Sequence, residues 1–152
     1  MEITCKINGK IYTDTINPSE FLIDFLRRNG LVSVKRGCET SNCGLCSVLI
    51  NGKVSLSCSV LAASVVDKEI LTLEGLGEES LRIGMLMAAE GTEQCGYCSP
   101  GFIMSVISMK NNLKDPSEED IKQYLAGNLC RCSGYEGQMR AIKNYLKDGK
   151  NE

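Results

Sequence analysis

Polar and apolar residues alternate at the start of the chain. Ile3, Cys5 and Ile7 stand between polar neighbours, Asn8-Gly9 supplies a two-residue turn, and Ile11, Thr13 and Thr15 carry a return strand, so residues 2–16 are expected to form a β-hairpin. The period then lengthens. Phe21, Leu22, Phe25 and Leu26 form the apolar face of a helix, with Asn17 as its cap, Pro18 in its first turn, Glu20 completing a box-like start and Asn29-Gly30 as its stop. A second hairpin is expected over Ser47–Asn51 and Lys53–Ser57 about Asn51-Gly52, and a last strand over Glu69–Leu73.

Beyond Gly75-Leu-Gly77 the strand pattern stops and four helices are expected. Ser80–Glu90 is apolar nearly all round, which predicts a buried helix. Ser99-Pro100 opens a second helix with Phe102, Ile103, Val106 and Ile107 inward. Asp115-Pro116 opens a third with Ile121, Tyr124 and Leu125 inward, and Glu118-Glu119-Asp120 supplies its first-turn charge. Ser133-Gly-Tyr-Glu136 has the form of a capping box opening a fourth, with Tyr135, Met139, Ile142 and Leu146 inward and a polar tail after Lys147. The fold class is therefore α+β in two units, 1–76 and 77–152, the first a small mixed sheet crossed by one helix and the second a compact four-helix unit.

Composition narrows the chemistry. The chain has 152 residues, a net charge of −2, no His and no Trp, and 43% of it is hydrophobic, enough for one domain or two small ones with mainly aliphatic cores. Without histidine there is no His proton shuttle, no Ser-His or Cys-His pair and no His-ligated metal. The mixed charge pattern offers no basic stripe for nucleic acid. Met1-Glu-Ile-Thr-Cys5 runs straight into a strand pattern rather than a signal peptide, and no apolar stretch is long enough to span a bilayer, so a cytoplasmic protein without membrane insertion is expected. In a reducing compartment nine cysteines favour metal binding over disulfides, and the odd count agrees.

Eight of those cysteines fall into two sets of four. Cys38, Cys43, Cys46 and Cys58 are spaced C-x4-C-x2-C-x11-C, the plant-type pattern for a [2Fe–2S] cluster, in which one tight loop gives three thiolates and a separate segment the fourth. Gly37 and Gly44 let that loop turn so that its amides can approach the sulfurs. A zinc site, usually built from two short Cys knuckles, fits this spacing poorly. Cys95, Cys98, Cys130 and Cys132 make C-x2-C-x31-C-x1-C, each pair expected at a helix N-terminus whose dipole favours thiolates. Alone this second set also suits zinc; beside a plant-type loop it points to a second [2Fe–2S] centre. Cys5, outside both sets, reads as a buried core residue.

At these residues the sequence resembles a known family. Gly37-Cys38…Cys43-Gly44-Leu-Cys46…Cys58, then Gln94-Cys95-Gly-Tyr-Cys98-Ser-Pro-Gly101 and Gly127-Asn-Leu-Cys130-Arg-Cys132-Ser-Gly-Tyr135, are similar to the small iron–sulfur subunit of molybdenum hydroxylases, the xanthine dehydrogenase and aldehyde oxidase group. The resemblance spans nearly all of residues 2–147. It implies a β-grasp plant-type ferredoxin domain followed by a four-helix [2Fe–2S] domain. It also implies a medium FAD-binding subunit facing the first cluster and a large molybdopterin-binding subunit facing the second, with Gln94 and Cys132 against the pterin. Three such subunits make a heterotrimer, often doubled. No catalytic residue is implied on this chain: the oxidoreductase complex oxidises its substrate elsewhere, xanthine or another purine by family frequency, and this chain passes electrons. One departure is that the family usually has Gly two residues before the second loop cysteine, where this chain has Ser41; a positive φ there would strain the serine and could shift the first cluster's potential. Arg131 suits charge balance, docking or a salt bridge; Tyr97 suits packing or an interface; Lys35-Arg36 suits a solvated face or the flavin-subunit contact. The rival functions are a free-standing ferredoxin-like carrier, against which Gln94 argues, and a colourless zinc-stabilised adaptor.

Overall fold

The opening alternation becomes β1 (Glu2–Ile7) and β2 (Lys10–Thr15), paired antiparallel, in a computed structural model that describes residues 1–148. Asn8 and Gly9 both take positive φ, as this two-residue turn requires. β3 (Ser47–Ile50) and β4 (Lys53–Leu56) form the second hairpin, and β5 (Glu69–Leu71) lies parallel to β1 and antiparallel to β3, giving a mixed five-stranded sheet of order β2-β1-β5-β3-β4. On one face α1 (Leu22–Arg28) packs Leu22, Ile23, Phe25 and Leu26 against Ile3, Cys5, Ile7, Val48 and Ile70. Each such side chain, fully buried, contributes roughly 1.5–3 kcal/mol. β3 is apolar on both faces because Leu49 turns the other way, into a second core built by α2 (Glu78–Ala89), α3 (Ser99–Asn112), α4 (Glu118–Leu125) and α5 (Glu136–Asp148).

Several expectations need correction. The first helix starts at Leu22, not near Pro18. Phe21 is extended and bridges Leu61, with Leu22 N–H donating to Val60 O at 2.7 Å and Ala62 N–H to Glu20 O at 2.8 Å, so residues 20–22 pair with 60–62 before helix can begin. Asn17 instead caps a local turn, its Oδ1 accepting from Ser19 N–H at 3.0 Å, and Phe21 is 42% exposed. The buried helix is not the one over Ser80–Glu90. In α2 only Ile83 and Met87 are buried, while Leu81 and Met85 are 65% and 67% exposed. That central place belongs to α3, buried continuously from Gly101 to Met109 between the sheet and the other helices. α3 also braces β4: Val54 N–H donates to Ser108 Oγ at 3.1 Å, a hydroxyl that pairs with Tyr124 as well. The capping box occurs one helix earlier than expected, with Asp120 Oδ2 accepting from Ser117 N–H and Ser117 Oγ from Asp120 N–H at the start of α4. Tyr135 is 45% exposed, and Tyr145 takes the core position on α5. The polar tail lies, from residue 149 on, outside the described residues.

The helices are tied by a half-buried polar cluster at the edge of the second core. Tyr145 OH donates to Glu79 of α2, while Lys110 of α3 donates to Glu79 at 2.9 Å and to Tyr145 OH at 3.2 Å. The Lys110 ammonium also lies 4.6 Å from the Tyr145 ring centroid. The Tyr145 hydrogen bond holds the Glu79 carboxyl below its usual value of 4.5 although burial opposes it; burial, then Glu79, raises the Tyr145 phenol above its usual 10.0. A lowered carboxyl stabilises the fold above its unfolded pKa and loses that contribution in acid; a raised phenol stabilises it below its unfolded pKa and loses that contribution in alkali. Tyr145→Phe is expected to lower stability by about 1 kcal/mol at neutral pH. It should also remove the part of the alkaline decline that begins near pH 10, measured as urea midpoints of both proteins across pH.

Candidate functional site

The first cysteine set is built by the irregular loop between α1 and β3. Cys38 and Cys43 lie in the loop, Cys46 immediately before β3, and Cys58 in a single 3-10 turn (Ser57–Ser59) just past β4. Ser57 ties the last two segments, its N–H and hydroxyl both donating to Cys46 O at 3.2 and 2.8 Å. The loop curls around Cys38, whose sulfur accepts from the Asn42, Thr40 and Cys43 amides; these, with the Cys43 thiol, bring its pKa down to about 6. Burial pushes the Cys43 thiol up, against amides of Leu45 and Gly37, and burial followed by the Cys58 thiol pushes Cys46 up to about 11. The turn needs left-handed backbone at Ser41 (φ 55°) and Gly44 (φ 73°).

The second set lies where the helices converge. Cys98 is the N-cap residue immediately before α3, and Cys95 precedes it by three. Cys130 and Cys132 sit in an irregular segment, Cys132 four residues ahead of the first residue of α5, so the helix-terminus argument holds for the first pair and not for the second. Local hydrogen bonds do that work instead. Ser133 N–H donates to Cys130 Sγ at 3.3 Å, and although burial acts against it, Ser133 and the Cys132 amide draw the Cys130 thiol down. Burial, then Cys130, pushes Cys98 up to about 12. The neighbouring Cys95 thiol raises Cys132. Tyr135, expected in the core, belongs here: with φ 71° it stands outside α5 and its hydroxyl accepts from Cys130 N–H at 2.8 Å. Gln94 Nε2 donates to Cys132 O at 3.1 Å, so the two residues singled out for pterin contact lie side by side. Arg131 and Tyr97 line the same hollow, of about 460 Å³. Cys5 is buried in the first core, its thiol raised by burial, away from both sets.

Within each set the sulfurs pair two and two. The Cys43 thiol acts on Cys38, lowering it, and the Cys58 thiol acts on Cys46, raising it. The Cys130 thiol acts on Cys98, raising it, and Cys95 Sγ is 3.7 Å from Cys132 Sγ. Among the described residues no three Cys, Asp or Glu side chains converge as a single metal ion would need. A tetrahedral zinc requires four ligands about one point, whereas a two-iron cluster takes two thiolates on each iron, so this donor set fits [2Fe–2S] and fits zinc poorly.

The two sets meet through backbone. Leu129 N–H donates to Cys43 O at 2.9 Å, and Leu129 is the residue before Cys130. Asn128 Nδ2 donates to Gly44 O and Gly101 O at 3.4 Å each. At Gly101 a Cβ would strike Gly44 O and come within 2.9 Å of Leu45 Cα, and at Gly44 it would strike Gly127 O. Tyr97 OH donates to Arg36 O at 3.0 Å while the Lys35 ammonium stands 5.9 Å from the Tyr97 ring centroid, so Lys35-Arg36 is part of this junction as well as a polar surface. The junction was not readable from local pattern: its glycines and Asn128 stand inside the cysteine motifs, but nothing in spacing shows that segments far apart in sequence touch. Gly101→Ala is expected to destabilise the fold by about 1–3 kcal/mol through overpacking against backbone, read as a lowered urea midpoint.

Comparison with known proteins agrees with this geometry. The family described as "2Fe-2S iron-sulfur cluster binding domain" matches residues 5–76, and the one described as "[2Fe-2S] binding domain" matches residues 72–143. The xanthine dehydrogenase iron-sulfur-binding subunit of Escherichia coli O157:H7 is 43% identical, over 88% of this chain and 87% of its own. The nicotinate dehydrogenase small FeS subunit of Eubacterium barkeri is 39% identical over the same shares of both. Among solved structures, quinoline 2-oxidoreductase from Pseudomonas putida 86 superposes with a TM-score of 0.91 at 34% identity, over 99% of this chain and 96% of that chain.

Proposed function

The chain belongs to the family of small iron–sulfur subunits of molybdenum hydroxylases, the xanthine dehydrogenase and aldehyde oxidase group, and on that footing we propose that it relays electrons from a molybdopterin-binding subunit to a FAD-binding subunit. In this reading Cys38, Cys43, Cys46 and Cys58 hold one [2Fe–2S] cluster, and Cys95, Cys98, Cys130 and Cys132 the other. When bound, the clusters supply reversible one-electron storage. The architecture we assign is a β-grasp ferredoxin unit over 1–76 and a four-helix cluster-binding unit over 77–152, which two separate cores support. Cytoplasmic location and a heterotrimeric complex belong to the same proposal; among the described residues no helix is long and apolar enough to cross a membrane.

The observation that carries the relay is the Leu129–Cys43 hydrogen bond. Cys130 and Cys43, one from each set, are joined by a short covalent path and that single bond. The rest of the second set is graded in exposure. Cys95 and Cys132 are exposed, with Gln94 beside them, while Cys98 and Cys130 are partly buried toward the Cys43 side. The chain therefore offers a partner an outer edge and directs the inner edge to the first set. Its residues hold sulfurs, orient amides toward them and keep the junction dry; they perform no acid–base step.

The substrate we assign to the whole complex is a purine such as xanthine. Relatives' names speak of xanthine, nicotinate, nicotine and quinoline, which are nitrogen heterocycles, and others speak of aldehydes. Dithionite-reduced protein, purified anaerobically, is expected to give two S = 1/2 EPR signals with different relaxation and about two irons per cluster. Cys43→Ser should alter one signal, Cys130→Ser the other, and Cys5→Ser neither. A single signal in the unaltered protein would sink the relay. Steady-state assays of the complex with xanthine and nicotinate test the substrate, and turnover of nicotinate alone would overturn the purine.

A further inference from the structure

Ser41 stands where the loop turns through left-handed backbone, at φ 55°. Glycine takes that conformation freely and serine does not, yet serine is present. Its side chain has a specific partner: Ser41 Oγ lies 3.5 Å from Cys58 Sγ, within the range of a hydrogen bond to sulfur. Cys58 comes from the far side of β4, so this is the hydroxyl with which the loop reaches across to the separate fourth cysteine. The residues on either side of Ser41 send their amides to Cys38 instead.

We propose that Ser41 is a positioning residue that sets the reduction potential of the first cluster through a hydrogen bond to Cys58. This rests on the electron-relay reading above. With Cys58 as a free thiol, the S–H donates to Ser41 Oγ. A coordinating thiolate has no proton to give, so the direction reverses and the Ser41 O–H donates to sulfur. A donor aimed at a ligand sulfur draws charge from it, and this favours the reduced form, which carries one more negative charge. No proton or bond is transferred; only the equilibrium for adding one electron moves.

The test is an EPR-monitored redox titration of the assembled complex carrying Ser41→Ala or Ser41→Gly. Both should lower the midpoint of the first cluster by roughly a tenfold change in its reduction equilibrium, about 59 mV for one electron, and leave the second cluster unmoved. Electron–nuclear double resonance after exchange into deuterated water should show an exchangeable proton near the first cluster that Ser41→Ala removes. The two variants separate hydrogen bonding from strain: Ser41→Ala keeps the strained Cβ and loses only the hydroxyl. A shift in Ser41→Gly alone, or no shift in either with both EPR signals intact, overturns this proposal and leaves the relay standing. Loss of either cluster signal in the unaltered protein overturns both.

Discussion

Three backbone segments cross within van der Waals reach at Gly44, Gly101 and Gly127-Asn128, and much of the molecule's arrangement depends on that crossing. The first segment belongs to the Cys43–Cys46 loop, the second to the first turn of α3, and the third leads into Cys130. A side chain at Gly44 or Gly101 would push them apart, because it would meet backbone atoms, Gly127 O and Asn128 Cα at Gly44 and Gly44 O and Leu45 Cα at Gly101, that cannot swing aside. Asn128 fills the remaining polar demand by donating to both glycine carbonyls from a buried position. With the segments fixed, Leu129 N–H reaches Cys43 O, and the separation of the two cysteine sets follows from backbone geometry rather than from flexible side chains. Electron transfer weakens steeply with distance, so a relay gains from having its spacing set by the least compliant part of the chain.

The same crossing explains the placement of the helices. α3 begins at Ser99, just after Cys98, and must enter beside Leu45, so its next turns are carried beneath β3 and β4 and are buried on all sides. Ser105 and Ser108, polar residues in this buried helix, are accommodated because Ser105 Oγ donates to Gly101 O and Ser108 meets Val54 N–H and Tyr124. α2 and α5 then pack around α3, held in register by the Glu79–Lys110–Tyr145 cluster. α2 is left on the outside with its Leu81 and Met85 side uncovered.

Hairpins, turn residues and helix centres were legible because each is a local matter of period and φ. Asn8-Gly9, Asn51-Gly52 and the stripes of α3 and α4 are all contained within a dozen residues. The eight cysteines were legible as two sets because ligand spacing reflects the reach of one loop. The errors at Phe21, Tyr135 and α2 share one physical source, which is tertiary context. Phe21 is a good helix residue that a strand-like partner at Leu61 holds extended. Tyr135 has core-like hydrophobicity, but its hydroxyl is committed to Cys130 N–H. Met85 and Leu81 gave α2 an apolar circumference, yet the number of neighbours available, not the residue's own character, decides how many faces are buried.

The two sets also differ in how their sulfurs are stabilised, and this follows from where they lie. In the first, a continuous loop turns its own amides inward, so Cys38 gains donors at Thr40, Asn42 and Cys43 without help from any other segment. In the second, the ligands arrive from two separated strands of chain, and the donors must be brought in singly: Ser133 to Cys130, the Cys95 amide to Cys132, and Gln94 to the Cys132 carbonyl. A self-contained loop needs only its glycines and the left-handed residue at 41 to be correct. A site assembled from two segments needs the tertiary fold to be in place first. The second set therefore depends on the crossing at Gly101 and Asn128 in a way the loop's own amide donors to Cys38 do not, and among the described residues its outer sulfurs, Cys95 and Cys132, stand exposed.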